Sequence, residues 1–182
     1  MIEIRELLPE EMIKAIEIKE ICWPEEIHGK SGIQFDREKE YQFWSQWMIS
    51  SVENNDDRQL YGVFDKDALL AAIFAGFAEV DDSKNGIEIN GLWVDPKHRN
   101  KGLSLHLLKK VIEYYLDLNK KEIIIYNFHY ADSNAFYKKL GATILKQTHQ
   151  LEEKVPIDVF SCNLQEMLNN INQRIIKYSH KK

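Results

Sequence analysis

The chain has 182 residues, of which 44% are hydrophobic and 29% charged, and this length and composition suit one well-packed globular domain. Its formal net charge of −5 argues against a general nucleic-acid binder, and no apolar run reaches the roughly 20 residues that span a bilayer, so we expect neither nucleic acid nor a membrane as a partner. Cys22 and Cys162 belong to no CxxC motif and the acidic start lacks a signal-peptide pattern, so we expect a cytoplasmic protein without disulfides.

The first part of the chain predicts a strand and two helices separated by a loop. Residues 2–5 alternate apolar and polar as in a short strand, and Pro9 suits the first position of the helix that follows. The stretch 22–32 contains Pro24 and two glycines, so it predicts a loop that ends this helix. Asp36 is predicted to cap a second helix, which is rich in aromatic residues.

Three consecutive strands are predicted next. The apolar residues 59–65 and 68–80 flank a short polar turn at 65–67, which predicts a hairpin. A second turn at 81–86 leads into the strand IEINGLWV, residues 87–94. We expect these three strands to pair antiparallel, because antiparallel neighbours can be joined by short turns.

The following segment predicts a helix and then a buried strand. The helix carries one apolar stripe, formed by Leu108, Val111, Ile112, Tyr115 and Leu116. The continuous apolar run EIIIY, residues 122–126, is typical of a strand that is buried on both faces. Because it comes after a helix, we expect it to pair parallel to residues 87–94 through a right-handed crossover.

The last third of the chain predicts two helices and two strands. A short helix at 132–140 should stop at Gly141, a residue suited to a left-handed turn. Residues 142–147 and 156–164 read as the last two strands, and an amphipathic helix follows from Leu164. Together these elements predict one α/β domain with a mixed sheet.

Positive charge is concentrated in the turn before the long helix, at Lys97, His98, Arg99 and Lys101. A helix N-terminus offers unpaired N–H groups and a partial positive charge, so it can bind an anion. Gly102 would let the backbone approach such a ligand, and consecutive N–H groups from Asn100 to Leu105 could wrap a pyrophosphate. The alternative is a solvated basic turn. The chain has neither GxxxxGK[ST] nor GxGxxG after a first strand, which excludes a P-loop and a Rossmann dinucleotide fold.

The turn also carries a resemblance to a known family. The pattern Val94-x-Pro96-x-x-Arg99-x-x-Gly102-x-Ser104 resembles the acyl-coenzyme A signature of the GNAT superfamily of N-acetyltransferases. Ser104 departs from the Gly or Ala that is usual at the last position of this signature. The unit of strand, turn, helix and strand around the pattern is the central unit of that family.

A second motif, NAFYKKLGA, resembles the closing motif of the family, in which Gly141 follows Tyr137 by four residues. Tyr130 stands where the family often has an Asn that contacts coenzyme A. The resemblance implies a GNAT-like, mixed and mostly antiparallel central sheet flanked by helices, with a C-terminal amphipathic helix. We expect residues 1–162 to form the acetyltransferase domain and residues 163–182 a helical extension of the same domain.

The resemblance further implies acetyl-coenzyme A as the acyl donor, bound in three groups of contacts. The strand end would pair with the pantetheine arm, the turn would hold the pyrophosphate, and the short helix would face the thiol. These cofactor-binding residues would be Leu92, Trp93, Val94, Arg99, Asn100, Lys101, Gly102, Leu103, Ser104, Leu105, Asn134 and Tyr137.

The chain offers no convincing nucleophile, so direct attack of a neutral amine on the thioester is the simpler mechanism. Following the family pattern, Tyr137 is the candidate general acid for the leaving thiolate, with helix packing as its alternative role. Glu88 is the candidate base, since it lies on a strand among isoleucines; the alternative is an ordinary solvent-facing position. Glu79 or solvent would otherwise take the proton.

The acceptor is expected to be a primary amine of a small molecule or a peptide, and a homodimer is left open. Acceptor specificity is assigned to residues 22–32, the helix through Trp47 and the loop near Asp81 and Asp82, because carboxylates beside an aromatic ring suit a cationic amine. None of the six histidines shows the spacing of a helical metal site, so no metal is expected. An acyl-coenzyme A sensor or interaction module without turnover is the alternative function.

Overall fold

The computed structural model describes residues 2–27, 32–150 and 155–179. Its seven-stranded sheet has the order β1-β2-β3-β4-β5-β7-β6, in which all neighbours are antiparallel except β4 and β5. The strands are β1 (Ile2–Glu6), β2 (Gln59–Asp65), β3 (Ala68–Phe77), β4 (Gly86–Val94), β5 (Glu122–Phe128), β6 (Thr143–Gln150) and β7 (Val155–Asn163). The helices are α1 (Met12–Ile27), α2 (Arg37–Ile49), α3 (Leu103–Asp117), α4 (Asn134–Lys139) and α5 (Leu164–Ser179).

Helices cover both faces of the sheet. On one face α1 and α2 form a core with β2 and β3 around fully buried Met12, Ile16 and Phe74. On the other face α3 and α5 pack over the sheet and bury their predicted apolar stripes, with Leu108 and Ile171 fully inaccessible. The predicted α/β architecture with a C-terminal amphipathic helix is therefore confirmed.

The first helix differs from the prediction at its C-terminal end. α1 continues through Pro24 to Ile27, so the predicted loop is wrong for residues 22–27, while residues 28–31 lie outside the described part of the chain. A proline inside a helix removes one backbone hydrogen bond and crowds the preceding turn. Trp23 and Ile27 are buried, and this tertiary burial offsets the cost of the proline.

The sheet opens between β4 and β5. These strands pair only from Gly86 to Ile89 on β4, after which β4 continues along β3 and β5 continues along β7. The register of β4 against β3 shifts at Asn90, which is left over between two paired residues, as in a β-bulge. The gap that results lies at the centre of the sheet, where the predicted cofactor residues Leu92–Val94 are located.

Most other predicted elements are confirmed. Asp36 caps α2 by accepting a hydrogen bond from the Lys39 backbone N–H at 3.1 Å. The hairpin of β2 and β3 and the parallel pair of β4 and β5 are present, and Gly141 has a φ angle of 98° at the end of α4. Among the described residues, no helix combines the length and the apolar character that crossing a membrane would need.

Candidate active site

The basic turn after β4 sets the position of the α3 N-terminus. Its first residue, Asp95, accepts a hydrogen bond from the Lys97 backbone N–H at 2.9 Å. Asn100 and Gly102 have positive φ angles of 60° and 77°, which bend the chain sharply before the helix begins at Leu103. The first N–H groups of a helix have no intrahelical partner, so the start of α3 can bind an anion.

A cavity of about 400 Å³ lies beside this N-terminus. A Cβ atom added at Gly102 would contact only His106, at 4.0 Å, so the absence of a side chain leaves room there for a ligand. Ten of the twelve predicted cofactor residues line the cavity. They are Leu92, Trp93, Val94, Arg99, Asn100, Gly102, Leu103, Ser104, Leu105 and Tyr137.

Lys101 and Asn134 are the two predicted cofactor residues that are not among the described residues lining this cavity. Lys101 is exposed. Asn134 is buried, and its Nδ2 donates to the backbone carbonyls of Phe128 and His129, both at 3.0 Å. Asn134 thus ties the start of α4 to the end of β5 and to the residue that follows it.

Arg99 is held by the end of α1. Its guanidinium forms an ion pair with Glu25 and donates to the Cys22 sulfur at 3.4 Å and to the Val94 carbonyl at 3.4 Å. An anion that approached Arg99 would therefore compete with the Glu25 carboxylate. The last turn of α1, which the sequence predicted as a loop, is one wall of this cavity.

Tyr137 lies where the first cavity meets a second one, and it lines both. The side chain is 5% exposed and packs against Phe136 and Phe160. Burial, with a smaller contribution from the negative charge of Glu26, raises the pKa of the Tyr137 phenol above its usual value. The phenol is therefore protonated at neutral pH and can donate a hydrogen bond.

The second cavity has a volume of about 320 Å³ and lies in the gap between β4 and β5, under α1 and α2. Glu88, the predicted base, is half-buried in its wall and accepts a hydrogen bond from Asn90 Nδ2 at 3.0 Å. Burial, with the nearby charges of Glu79 and Asp82, raises the pKa of Glu88 to about 7. Such a carboxyl can take up a proton near neutral pH.

Glu26 joins Tyr137 at the junction, since it also lines both cavities. Burial raises the pKa of the Glu26 carboxyl to about 7, against the opposing effect of Lys19. The sequence indicated only that carboxylates lie beside Trp23 in the stretch 22–32. The position of Glu26 between the cavities depends on the helical path of the chain through Pro24.

Glu79, the alternative candidate for the base, is exposed beyond the end of β3 and is not among the described residues that line either cavity. Asp81 and Asp82 lie in the same turn, and Asp82 pairs with Lys146 and accepts a hydrogen bond from the Tyr126 hydroxyl. Within the part of the chain that the structure describes, no group of three His, Cys, Asp or Glu side chains could hold a metal ion.

Comparison with known proteins identifies the class to which this fold and site belong. The model of the acetyltransferase (GNAT) family matches residues 15–142, well over half of the chain. The chain therefore belongs to the GNAT acetyltransferase family, and the predicted class of enzyme, an acyltransferase, is confirmed at the level of the family. No curated protein matches the chain.

Solved structures share the fold at low sequence identity. An N-acetyltransferase from Staphylococcus aureus Mu50 has a TM-score of 0.68 at 12% identity, over 90% of this chain and 99% of that chain. The PaiA N-acetyltransferase from Thermoplasma acidophilum, in complex with coenzyme A, has a TM-score of 0.62 at 19% identity over 90% and 99% of the two chains. YncA from Salmonella typhimurium, with its cofactor acetyl-CoA, has a TM-score of 0.65 at 15% identity over 90% and 94%.

Proposed function

We propose that this protein transfers an acetyl group from acetyl-coenzyme A to a primary amine by direct attack of the amine on the thioester. The observation that carries the proposal is that two cavities meet at Tyr137, one beside a helix N-terminus and the other lined by carboxyl groups. The first suits a pyrophosphate-containing cofactor and the second suits an amine. Two of the similar structures, PaiA and YncA, contain coenzyme A and acetyl-CoA respectively.

In this proposal the cofactor lies along the first cavity. Its pyrophosphate contacts the N–H groups at the start of α3, near Gly102. The edge of β4 from Leu92 to Val94 is not paired with β5, so its backbone groups are available to the pantetheine arm, much as an added strand would use them. The thioester then points into the gap where the second cavity begins.

The chemical step needs one group on each side of the thioester. The amine nitrogen forms a bond to the acetyl carbon while the bond from that carbon to sulfur breaks. Glu88 accepts the proton that the amine loses, and Tyr137 donates a hydrogen bond and a proton to the departing thiolate. Much of the acceleration comes from holding the two substrates in adjoining cavities, since such positioning removes an entropic barrier.

The test is the release of free thiol from acetyl-coenzyme A in the presence of a panel of primary amines. We expect thiol to be released in an amine-dependent manner, with the acetylated amine as the second product. Acetyl-coenzyme A that raises the melting temperature without amine-dependent thiol release would instead indicate the sensor or interaction module.

A further inference from the structure

The Glu26 carboxyl lies near two cations, Lys19 and Arg99, each of which is paired with another carboxylate. Arg99 pairs with the neighbouring Glu25, and the Lys19 ammonium lies 2.5 Å from Glu40. Within residues 2–27, 32–150 and 155–179, the Glu26 carboxyl has no hydrogen-bond or ion-pair partner. Both nearby cations are thus already neutralised, and the charge of Glu26 faces the junction of the two cavities.

A half-buried carboxylate without a partner is unfavourable, because burial removes water that would otherwise solvate the charge. The same burial raises the pKa of Glu26 to about 7, so a cation placed at the junction would stabilise the ionised form. The thioester and the attacking nitrogen also meet at this junction in the proposed reaction. A positively charged group of the substrate would supply the partner that Glu26 lacks among the described residues.

The rest of the second cavity indicates what this group is attached to. Aromatic rings line the cavity on two sides, with Trp23, Trp44 and Trp47 on α1 and α2 and with Tyr126 and Phe128 on β5. The Lys19 ammonium lies 5.2 Å from the centre of the Trp44 ring, but its charge is balanced by Glu40. The unbalanced charges of the wall are then the carboxyls, so an anionic group on the acceptor would be repelled.

We propose that Glu26 binds the acceptor as an ammonium ion, and that the acceptor is a small primary amine on an aromatic body without an anionic group. This inference rests on the proposed function. Glu26 would hold the ammonium form beside the thioester. The nitrogen loses two protons on its way to the amide: Glu88 accepts one, and the other restores the proton that Tyr137 gives to the thiolate. A volume of about 320 Å³ is at the small end of ligand sites, which favours an acceptor with a single ring over a large one.

The substrate part of the proposal is tested with three related amines and saturating acetyl-coenzyme A. Phenethylamine carries an aromatic ring and one positive charge, phenylalanine adds a carboxylate, and phenylalanine amide adds similar bulk without that charge. We expect kcat/KM for phenethylamine and for the amide to exceed that for phenylalanine by about tenfold or more. Propylamine lacks the ring, so its KM should be higher than that of phenethylamine. Equal values for phenethylamine and phenylalanine would overturn the inference, as would equal values for phenethylamine and propylamine.

The role of Glu26 is tested with the isosteric variant Glu26→Gln. Loss of a charge-assisted contact should raise KM for phenethylamine about 10- to 100-fold, while kcat at saturation changes little. Glu113→Gln, an exposed change on α3, is the matched control and should leave both constants unchanged. An unaltered melting-temperature rise with acetyl-coenzyme A shows that Glu26→Gln is folded and holds the cofactor.

A KM for phenethylamine in Glu26→Gln equal to that of the control would overturn the inference. That result would leave the proposed function intact, because the wild-type protein would still release thiol with amines. Failure of the proposed function would be seen differently, as an absence of thiol release by the wild-type protein with every amine in the panel.

Discussion

Tyr137 is the residue on which the two substrates converge. It lies at the junction of the cavities, and its buried position raises the pKa of the phenol. If it protonates the departing thiolate, Tyr137→Phe should lower kcat by roughly 10- to 1000-fold, a range typical of positioned acids. Assays of thiol release would measure kcat. The rise in melting temperature with acetyl-coenzyme A should change little.

Tyr41→Phe is the matched control for this substitution, since Tyr41 is half-buried on α2 and is not among the described residues that line either cavity. It should keep wild-type turnover. Wild-type turnover in Tyr137→Phe would instead assign Tyr137 to packing against Phe136 and Phe160.

Glu88 governs the expected pH dependence. A base must be ionised to accept a proton, and because the pKa of Glu88 is raised to about 7, kcat at saturating amine should rise as the pH passes through this value. In Glu88→Gln this limb should vanish and the rate should fall, while the affinity for acetyl-coenzyme A stays near that of the wild type. A higher pH should partly rescue the variant, because more of the acceptor amine is then neutral.

Glu79→Gln provides the control, because Glu79 is exposed outside the cavity and contributes only its charge to the surroundings of Glu88. Its pH profile should keep the limb, moved slightly to lower pH by the loss of a neighbouring negative charge. If the pH profile of Glu88→Gln matches that of the wild type, another group or solvent accepts the proton of the amine.

At the scale of elements, the N-terminus of α3 is the part of the site that can be tested by binding alone. Acetyl-coenzyme A should raise the melting temperature, because it binds the folded state. Gly102→Glu should abolish this rise, since a negative side chain would occupy the room that Gly102 leaves and repel the pyrophosphate. Differential scanning fluorimetry over a series of ligand concentrations measures both.

Gly102→Ala separates the charge from the backbone effect. Alanine at a φ angle of 77° is strained like glutamate there, but its Cβ would contact only His106 at 4.0 Å. We expect this variant to have a lower melting temperature without ligand and to retain a rise with acetyl-coenzyme A. The pyrophosphate assignment is wrong if Gly102→Glu still shows the full wild-type rise.

At the scale of the whole molecule, the site exists because the sheet separates at its centre. β4 and β5 diverge after Ile89, and the bulge at Asn90 accompanies the change of partner. Helix α1 lies across this gap and contributes Cys22 and Glu25 to the first cavity and Trp23 to the second. The cofactor cavity and the acceptor cavity of the proposed reaction therefore share the C-terminal end of α1 as a wall, in addition to Tyr137.

Local patterns in the sequence determined most of the fold. Alternation and apolar runs located every strand, and the stripe of α3 and the cap at Asp36 located helices, because these signals depend on residues near one another in the chain. The turn before Gly102 was predicted as an anion site for the same reason, since a helix N-terminus and its preceding loop are local features.

Only the tertiary structure decided the site as a whole. The helical path through Pro24 was missed, because burial of distant surfaces offset a local helix-breaking signal. The hydrogen bonds of the Asn134 amide to the Phe128 and His129 carbonyls, at the end of β5 and just after it, were likewise not predicted from the sequence. The placement of Glu26 between the cavities, apart from the paired Glu25 and Glu40, depends on strands and helices brought together from across the chain, and no local pattern encodes it.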